Sequence, residues 1–167
     1  QWLHDAKVKS MTDVLEEVLS DAGARVVVFF RFRREIERAG EVIRTSPNLR
    51  GVEVLELHGD TRDDSVVRRR FVEEPKSRVL LSQIATGSLG IDLSVAETAI
   101  FYSWDFDAAT YQQARDRIWK PGGKITRIHL MVPHSIDETM LKVVQGKLDR
   151  SALLLDRWQE IVQGGLT

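Results

Sequence analysis

Three polar side chains suited to binding an anion recur at helical spacing in the second half of the chain. The segment QQARDRIWKPGGK, residues 112–124, contains Gln113, Arg117 and Lys120 at steps of four and three residues. These steps place all three on one face of a helix. Cations near a helix C-terminus also stabilise the helix dipole by about 0.3 to 1 kcal/mol, but that effect does not explain Gln113. Pro121 is expected to end the helix, so that Lys120 lies at its very end.

A glycine-containing loop follows a predicted strand at residues 82–93, SQIATGSLGIDL. Gly87 and Gly90 allow backbone N–H groups to approach a phosphate or a ribose closely. An ordinary glycine turn explains this loop equally well, because short glycine motifs often occur by chance. The loop alone therefore leaves both interpretations open.

Arginines follow the predicted strand at residues 25–30, and a second group lies further along the chain. Arg31, Arg33 and Arg34 form the first group, and residues 68–70 the second. Either group could contact a nucleic-acid backbone, or form a solvated helix face paired with Glu35, Glu37 and Asp64. We favour the solvated face for residues 68–70. For Arg31 and Arg33, which lie at a strand end, the two interpretations are equal.

Apolar spacing predicts the elements that must position these residues. A helix covers Val8 to Val18, and the unbroken apolar run 25–30 is typical of a strand buried on both faces. Further helices are predicted at 32–43, 61–71 and 108–119 and from Ser135 onward. In the last of these, Glu138 completes a capping box and Gly146 is a candidate break. Further strands are predicted at 52–57, 78–82, 98–102 and 125–132. The alternation predicts an α/β fold, a three-layer open and mainly parallel sheet with helices on both faces. Ligands of such sheets bind at the carboxyl ends of the strands, where the loops and arginines described above fall.

Composition indicates one globular domain. The chain has 167 residues, 43% of them hydrophobic and 29% charged, with a net charge of −1 and no cysteine. The charge gives no general attraction for nucleic acid or anionic membranes, so any anion site must be local. Without an apolar run of about 18 residues or a signal peptide, we expect neither membrane insertion nor secretion. An intracellular location is expected, in the cytoplasm or nucleoid if the source is a prokaryote or a phage.

Several common catalytic motifs do not occur in the sequence. There is no GxxxxGK-[ST] phosphate-binding loop, and the four histidines show no metal-ligand spacing. The Asp-Glu pair at 137 and 138 lies in a capping sequence, which we interpret as a helix start. We therefore expect no metal site of the chain's own and only part of a nucleotide-binding site.

The order of these segments resembles a known family. RVVVFFRF, LELHGDT, RVLLSQIATGSLGIDLSVAETAIFYSWDFD and YQQARDRIWKPGG resemble the C-terminal RecA-like half of superfamily 2 helicases, with Swi/Snf-type DNA translocases, including bacterial and phage members, the most similar. The resemblance covers residues 7–148 and is most specific at 78–123. It implies a single RecA-like domain over 1–167, with its core at about 7–148 and a helical extension at about 135–167.

The resemblance also implies roles for individual residues. Gln113, Arg117 and Lys120 match motif six, which faces the γ-phosphate of ATP bound by the other RecA-like half, and Gly90 and Asp92 match a position near the ribose. Residues expected to contact the nucleic-acid backbone are Arg31, Arg33, Gly59, Ser82, Thr86 and Gly87. The family has His-Arg-x-Gly-Gln where this chain has residues 119–123, WKPGG. Lysine keeps the charge of the second arginine but loses the planar fork that grips phosphate in two places.

The expected function is that of the second motor domain of an ATP-dependent DNA helicase or translocase, a monomeric domain with RNA not excluded as substrate. ATP and Mg²⁺ would be held mainly by an N-terminal RecA-like domain of the same protein. Alone, this domain is expected not to hydrolyse ATP, because it lacks the phosphate-binding loop. One alternative is a non-enzymatic RecA-like adaptor for nucleic acid or protein. Another is an unrelated doubly wound domain that binds a small nucleotide.

Overall fold

The protein folds as a five-stranded parallel sheet between two layers of helices. The computed structural model describes residues 2–85, 92–119 and 121–164, and side chains mainly between 6 and 150. The strands are β1 (Val26–Phe30), β2 (Glu53–Leu57), β3 (Ser77–Gln83), β4 (Thr98–Phe101) and β5 (Thr126–His129). The helices are α1 (Trp2–Leu19), α2 (Arg33–Thr45), α3 (Asp64–Glu73), α4 (Ala108–Arg117) and α5 (Ile136–Gly164), with one 3₁₀ turn at Pro47–Leu49.

The strands are arranged in the order β2-β3-β1-β4-β5, and all four neighbouring pairs are parallel. The central strand β1 is fully buried because its run of Val and Phe residues is covered on both faces. Phe29 faces one side and packs on Phe101 with ring centres 5.2 Å apart. Phe30 faces the other and packs on Tyr102 at 4.9 Å. The α/β fold with helices on both faces is thus confirmed.

Two hydrophobic clusters fill the spaces between the sheet and the helices. The first, which we call the α1–α2 side, includes Met11 and Leu15 of α1 and Ile36 and Ile43 of α2. The second, the α3–α5 side, includes Phe71, Tyr111 and Val144 from α3, α4 and α5. Within the described residues, no helix combines the length and apolar composition needed to cross a membrane.

The start of α3 differs from the predicted boundary at Thr61. The Thr61 hydroxyl accepts a hydrogen bond from the His58 N–H at 2.9 Å, which closes a turn instead of beginning a helix. The Asp63 carboxylate then accepts from the N–H groups of Ser65 and Val66, so it is the N-cap. The hydrogen bond from the Ser65 hydroxyl, followed by that from the Val66 N–H, lowers the pKa of Asp63. The helix therefore begins at Asp64.

The C-terminal helix follows its prediction with a shifted cap. Ser135 Oγ accepts from the Asp137 N–H at 3.2 Å, but Glu138 accepts from His134 instead of Ser135. The Asp137 carboxylate accepts from the Val132 N–H and pairs with Lys7. Strand β5 ends at His129, earlier than the predicted boundary at 132. The helix continues through Gly146 without a break.

Candidate nucleotide and nucleic-acid site

The carboxyl ends of the strands form a rim joined by hydrogen bonds between loops. Ser103, after β4, accepts from the Arg31 N–H at 2.8 Å and donates to the Glu35 carboxylate. Glu35 also accepts from the Phe32 N–H, at the start of α2. The loops after β1 and β4 are therefore held to one helix terminus.

A glutamine extends this network to the loop after β2. The Gln83 side chain donates to the Arg31 carbonyl at 3.3 Å and accepts from the Gly59 N–H at 3.5 Å. The sequence predicted Arg31 and Gly59 as site residues and Glu35 only as a carboxylate partner of the arginines, and it did not predict a role for Gln83. The only signal available for Gln83 was its place at the end of a strand.

Both rim arginines are paired with carboxylates; Arg33 is exposed and Arg31 is half-buried. Arg33, with half of its side chain exposed, pairs with Glu37 at 2.9 Å and with Asp60. The Arg31 guanidinium lies 3.9 Å from Asp105 and over the Phe32 ring. Exposed ion pairs are worth little in water, so phosphate oxygens can replace these carboxylates at low cost. Both arginines lie where a backbone contact is predicted.

The arginines of α3 have the arrangement of a solvated helix face. Arg68 pairs with Asp64 one turn away, and Arg70 pairs with Glu53 and Glu74. The hydrogen bonds that Arg70 donates to the carboxylates of Glu74 and Glu53 raise the pKa of its guanidinium. The sequence predicted Asp64 as a partner of these arginines, whereas Glu53 and Glu74, the partners of Arg70, were not predicted.

Helix α4 carries Gln113 and Arg117 of the predicted anion-binding stripe, the helix face formed by Gln113, Arg117 and Lys120. Its N-cap is Asp107, whose carboxylate accepts from the Ala109 N–H at 3.0 Å. Gln113 is exposed, whereas Arg117 is only 9% exposed, and burial lowers the pKa of its guanidinium. Lys120 lies outside the described residues. The stripe is therefore not a uniformly exposed surface.

Helix α4 ends at Arg117, two residues before the predicted boundary at 119. The C-cap is Ile118, which is fully buried in the α3–α5 side of the core. A proline disfavours helical backbone angles in the residue before it, so Pro121 requires the helix to end before residue 120 but does not fix where. The helix ends earlier than that, next to Ile118, which is buried in the core.

The exit of the glycine-containing loop is tied to the end of α4. The Leu93 N–H donates to the Arg117 carbonyl at 2.8 Å. Next to Leu93, the exposed Asp92 accepts from the Ser94 N–H at 2.8 Å, and hydrogen bonding from Ser94 lowers its pKa. The backbone beside Asp92 is thus joined to the backbone of Arg117. Thr86, Gly87 and Gly90 lie outside the described residues.

Ser82 does not reach the rim surface. It lies within β3 and is 1% exposed, because the strand has neighbours on both sides and helices on both faces. A side-chain contact between Ser82 and a nucleic-acid backbone does not fit this placement. Gly59, by contrast, is exposed. Within residues 2–85, 92–119 and 121–164, no three acidic or histidine side chains cluster closely enough to hold a metal ion.

The parallel sheet, its helices and the rim define a RecA-like α/β domain. The family described as the helicase conserved C-terminal domain matches residues 6–122, and this chain belongs to it. Its relatives place it among the Swi/Snf-type members of superfamily 2.

Similar proteins include much longer relatives. The helicase SWR1 of Candida glabrata is 26% identical over 149 residues, which cover 86% of this chain and 10% of that protein. The chromatin-remodeling ATPase INO80 of Mycosarcoma maydis is 29% identical over 149 residues, covering 86% of this chain and 8% of that protein. This chain therefore spans a tenth or less of these two relatives.

A solved structure shows the same fold. The crystal structure of the C-terminal part of the Fun30 ATPase domain has a TM-score of 0.73 and 22% sequence identity. The match covers 83% of this chain and 44% of that one. The two chains therefore share one fold.

Proposed function

We propose that this chain is the second motor domain of an ATP-dependent DNA translocase or helicase. It would complete an ATP site whose phosphate-binding loop belongs to a preceding RecA-like domain. The hydrogen bond from the Leu93 N–H to the Arg117 carbonyl is the observation that carries the proposal. It ties the exit of the glycine-containing loop, which by the resemblance matches motif five of the family, to the end of α4, which carries motif six, so that the two would act as one unit.

Arg117 is the group that we assign to the γ-phosphate. Its guanidinium is largely removed from water but remains charged, because arginine is not deprotonated in proteins. A cation that has already lost hydration and is held in place stabilises developing negative charge more strongly than one in water. Closure of the two domains must displace the cover over Arg117 for phosphate to reach it. Gln113, Lys120, Gly90 and Asp92 would lie around it.

Mg²⁺ would be held mainly by the preceding domain and would neutralise phosphate charge there. In this chain, Arg31 and Arg33 would exchange their carboxylates for phosphates of one nucleic-acid strand. The exposed backbone at Gly59, with Thr86 and Gly87, would complete that contact. Because such contacts are to phosphate and sugar, binding would be largely independent of sequence.

Arg117→Ala tests this proposal in a longer protein that includes the phosphate-loop domain. We expect the DNA-stimulated kcat to fall by about 10³-fold, the scale of an arginine finger. Arg117→Lys should recover part of the rate, because it keeps the charge without the fork. Arg44→Ala is the matched control: it is half-exposed and ion-paired, but lies about 17 Å along α2 from Arg33.

Because Arg117 is buried, the thermal unfolding midpoint of each variant must be measured with its kinetics. A folded Arg117→Ala protein with a rate within a few-fold of the parent would show that the assigned role is wrong. The same burial favours a second candidate, a non-enzymatic RecA-like adaptor. Salt-dependent DNA binding that ATP does not alter in the longer protein would support that candidate.

A further inference from the structure

Two arginines lie on neighbouring elements beside a buried tyrosine–histidine pair. The Tyr111 hydroxyl of α4 is 2.7 Å from Nε2 of His129, the last residue of β5. Arg115 lies one helical turn after Tyr111, with its guanidinium carbon 5.8 Å from the centre of the Tyr111 ring. Arg127 precedes His129 by two residues, so both lie on the same face of β5. Arg115 and Arg127 are thus adjacent to one pair of rings.

The register of the sheet shows which face this is. Arg127 and His129 are paired with Ala99 and Phe101 of β4. Both β4 residues belong to the α3–α5 side of the core, and the Phe101 ring stacks on His129 at 4.9 Å. Arg127 therefore lies on the side of the sheet covered by α4, which carries Arg115.

Neither arginine has a counter-charge in the part of the chain that the structure describes. No ion pair involves Arg115 or Arg127 there, and the Nε atom of each is buried without a hydrogen-bond partner. Carboxylates do pair with other arginines of the chain, namely Arg31, Arg33, Arg38, Arg44, Arg68 and Arg70. Two partly buried like charges repel each other, and the nearby His129 supplies no negative charge. An anion that reached either guanidinium would supply the missing counter-charge.

The arginine pair is separate from the proposed nucleotide site. Arg115 is two residues from both Gln113 and Arg117, which is about 200° around the helix. It lies toward β5, the last strand of the sheet. An anion bound there would not be the nucleotide of the shared cleft.

We propose that Arg115 and Arg127 form a binding site for carboxylates of an acidic protein segment that docks beside β5. Guanidinium groups match carboxylates in planar, bidentate geometry and are favoured at partly dry interfaces. Among the described strands, β5 pairs only with β4, so its other edge offers backbone groups to an extended polypeptide. The proposed contact with a nucleic-acid strand lies elsewhere, at Arg31 and Arg33 of the rim.

The test uses the chain and an acetylated decapeptide of alternating glutamate and valine, with binding measured by calorimetry. We expect one peptide to bind per chain, and Arg115→Gln or Arg127→Gln to weaken binding by at least about tenfold, as expected on removing a charged hydrogen bond. Arg38→Gln, which removes an exposed arginine on α2, should leave the affinity unchanged. A glutamine–valine decapeptide should not bind.

NMR titration of the His129 ring provides a measurement that needs no variant. The peptide should raise the pKa of His129, because its carboxylates oppose the charges of Arg115 and Arg127. No peptide binding at millimolar concentration in low salt would overturn the proposal. An unchanged peptide affinity in the folded variant that carries both Arg115→Gln and Arg127→Gln would also overturn it. So would a loss of affinity in this double variant for duplex DNA of equal charge but not for the peptide.

Discussion

Arg33 shares its charge between Glu37 and Asp60, so its place at a strand end does not by itself make it a nucleic-acid ligand. Arg38 is similarly exposed and paired with Glu41, but lies further along α2. What distinguishes the two is position, because Arg33 joins the hydrogen-bonded rim. Comparing them separates the effect of position from the effect of charge.

We predict that Arg31→Ala and Arg33→Ala weaken duplex binding by the longer protein, whereas Arg38→Ala does not. Each lost phosphate contact should reduce the slope of log K against log salt by about 0.9. Fluorescence anisotropy at several salt concentrations measures this slope. Equal slopes for Arg33→Ala and Arg38→Ala would show that Arg33 of the rim does not contact nucleic-acid phosphates.

His129 makes the stability of the domain depend on pH. Burial, followed by the charges of Arg115 and Arg127, lowers its pKa from 6.5 to about 4. Between these values the unfolded chain binds a proton that the folded chain does not, so the free energy of unfolding falls as pH falls from 6.5 to 4. The ceiling is about 3 kcal/mol.

We predict that His129→Gln lacks this pH-dependent contribution, because glutamine does not bind a proton in this range. Its amide can still hydrogen-bond the Tyr111 hydroxyl, so the packing is disturbed little. Urea unfolding of both proteins at pH 7, 6, 5 and 4 should show their stability difference shift in favour of the variant toward pH 4. Carboxylates with lowered pKa values, such as those of Asp63 and Asp107, are common to both proteins and cancel. Parallel pH profiles would mean that His129 is not protected from protonation.

At the scale of elements, one glycine lies inside a helix and another lies in a turn, so substitutions at the two positions should have opposite effects on stability. A Cβ added at Gly146, inside α5, meets no heavy atom within 4 Å. Gly122, in the turn after α4, has φ of +70°, where a side chain is strained.

We predict that Gly146→Ala raises the free energy of unfolding by about 1 kcal/mol, because alanine favours a helix over glycine. Gly122→Ala should lower it by about 1 kcal/mol or more. Chemical denaturation measures both. A destabilised Gly146→Ala protein would show that α5 is not continuous through this position.

The whole molecule contains only part of the proposed ATP site. With no GxxxxGK-[ST] segment in its sequence, this chain has no phosphate-binding loop to hold the β- and γ-phosphates. The family match and the small share of its relatives that it spans both fit a domain that acts with another.

We predict that the purified 167-residue chain shows no Mg²⁺-dependent ATP hydrolysis above buffer, as measured by phosphate release. Arg117→Ala serves as the control for a contaminating ATPase, because a contaminant would be unaffected by it. Turnover by the chain that disappears in this variant would refute the requirement for a second domain.

Several features of this protein could be read from local sequence. The apolar run 25–30 predicted the central buried strand, which the structure begins at Val26, and the spacing of Val8, Met11 and Leu15 predicted α1. These predictions succeeded because strand and helix periodicity, turn residues and caps act over a few neighbouring residues. The boundary of α3 was missed since Thr61 and Asp63 are both good N-caps, and only the hydrogen bond to His58 decides between them.

Only the tertiary structure decided which side chains are buried and which charges are neighbours. The spacing of Gln113 and Arg117 predicted a shared helix face, but their different exposure depends on what packs over each. Ser82 is buried because β3 lies inside the sheet, and the Tyr111 hydroxyl of α4 meets His129 of β5 although the two residues are 18 positions apart. Contacts between residues distant in sequence depend on how elements pack, and no local pattern encodes that packing.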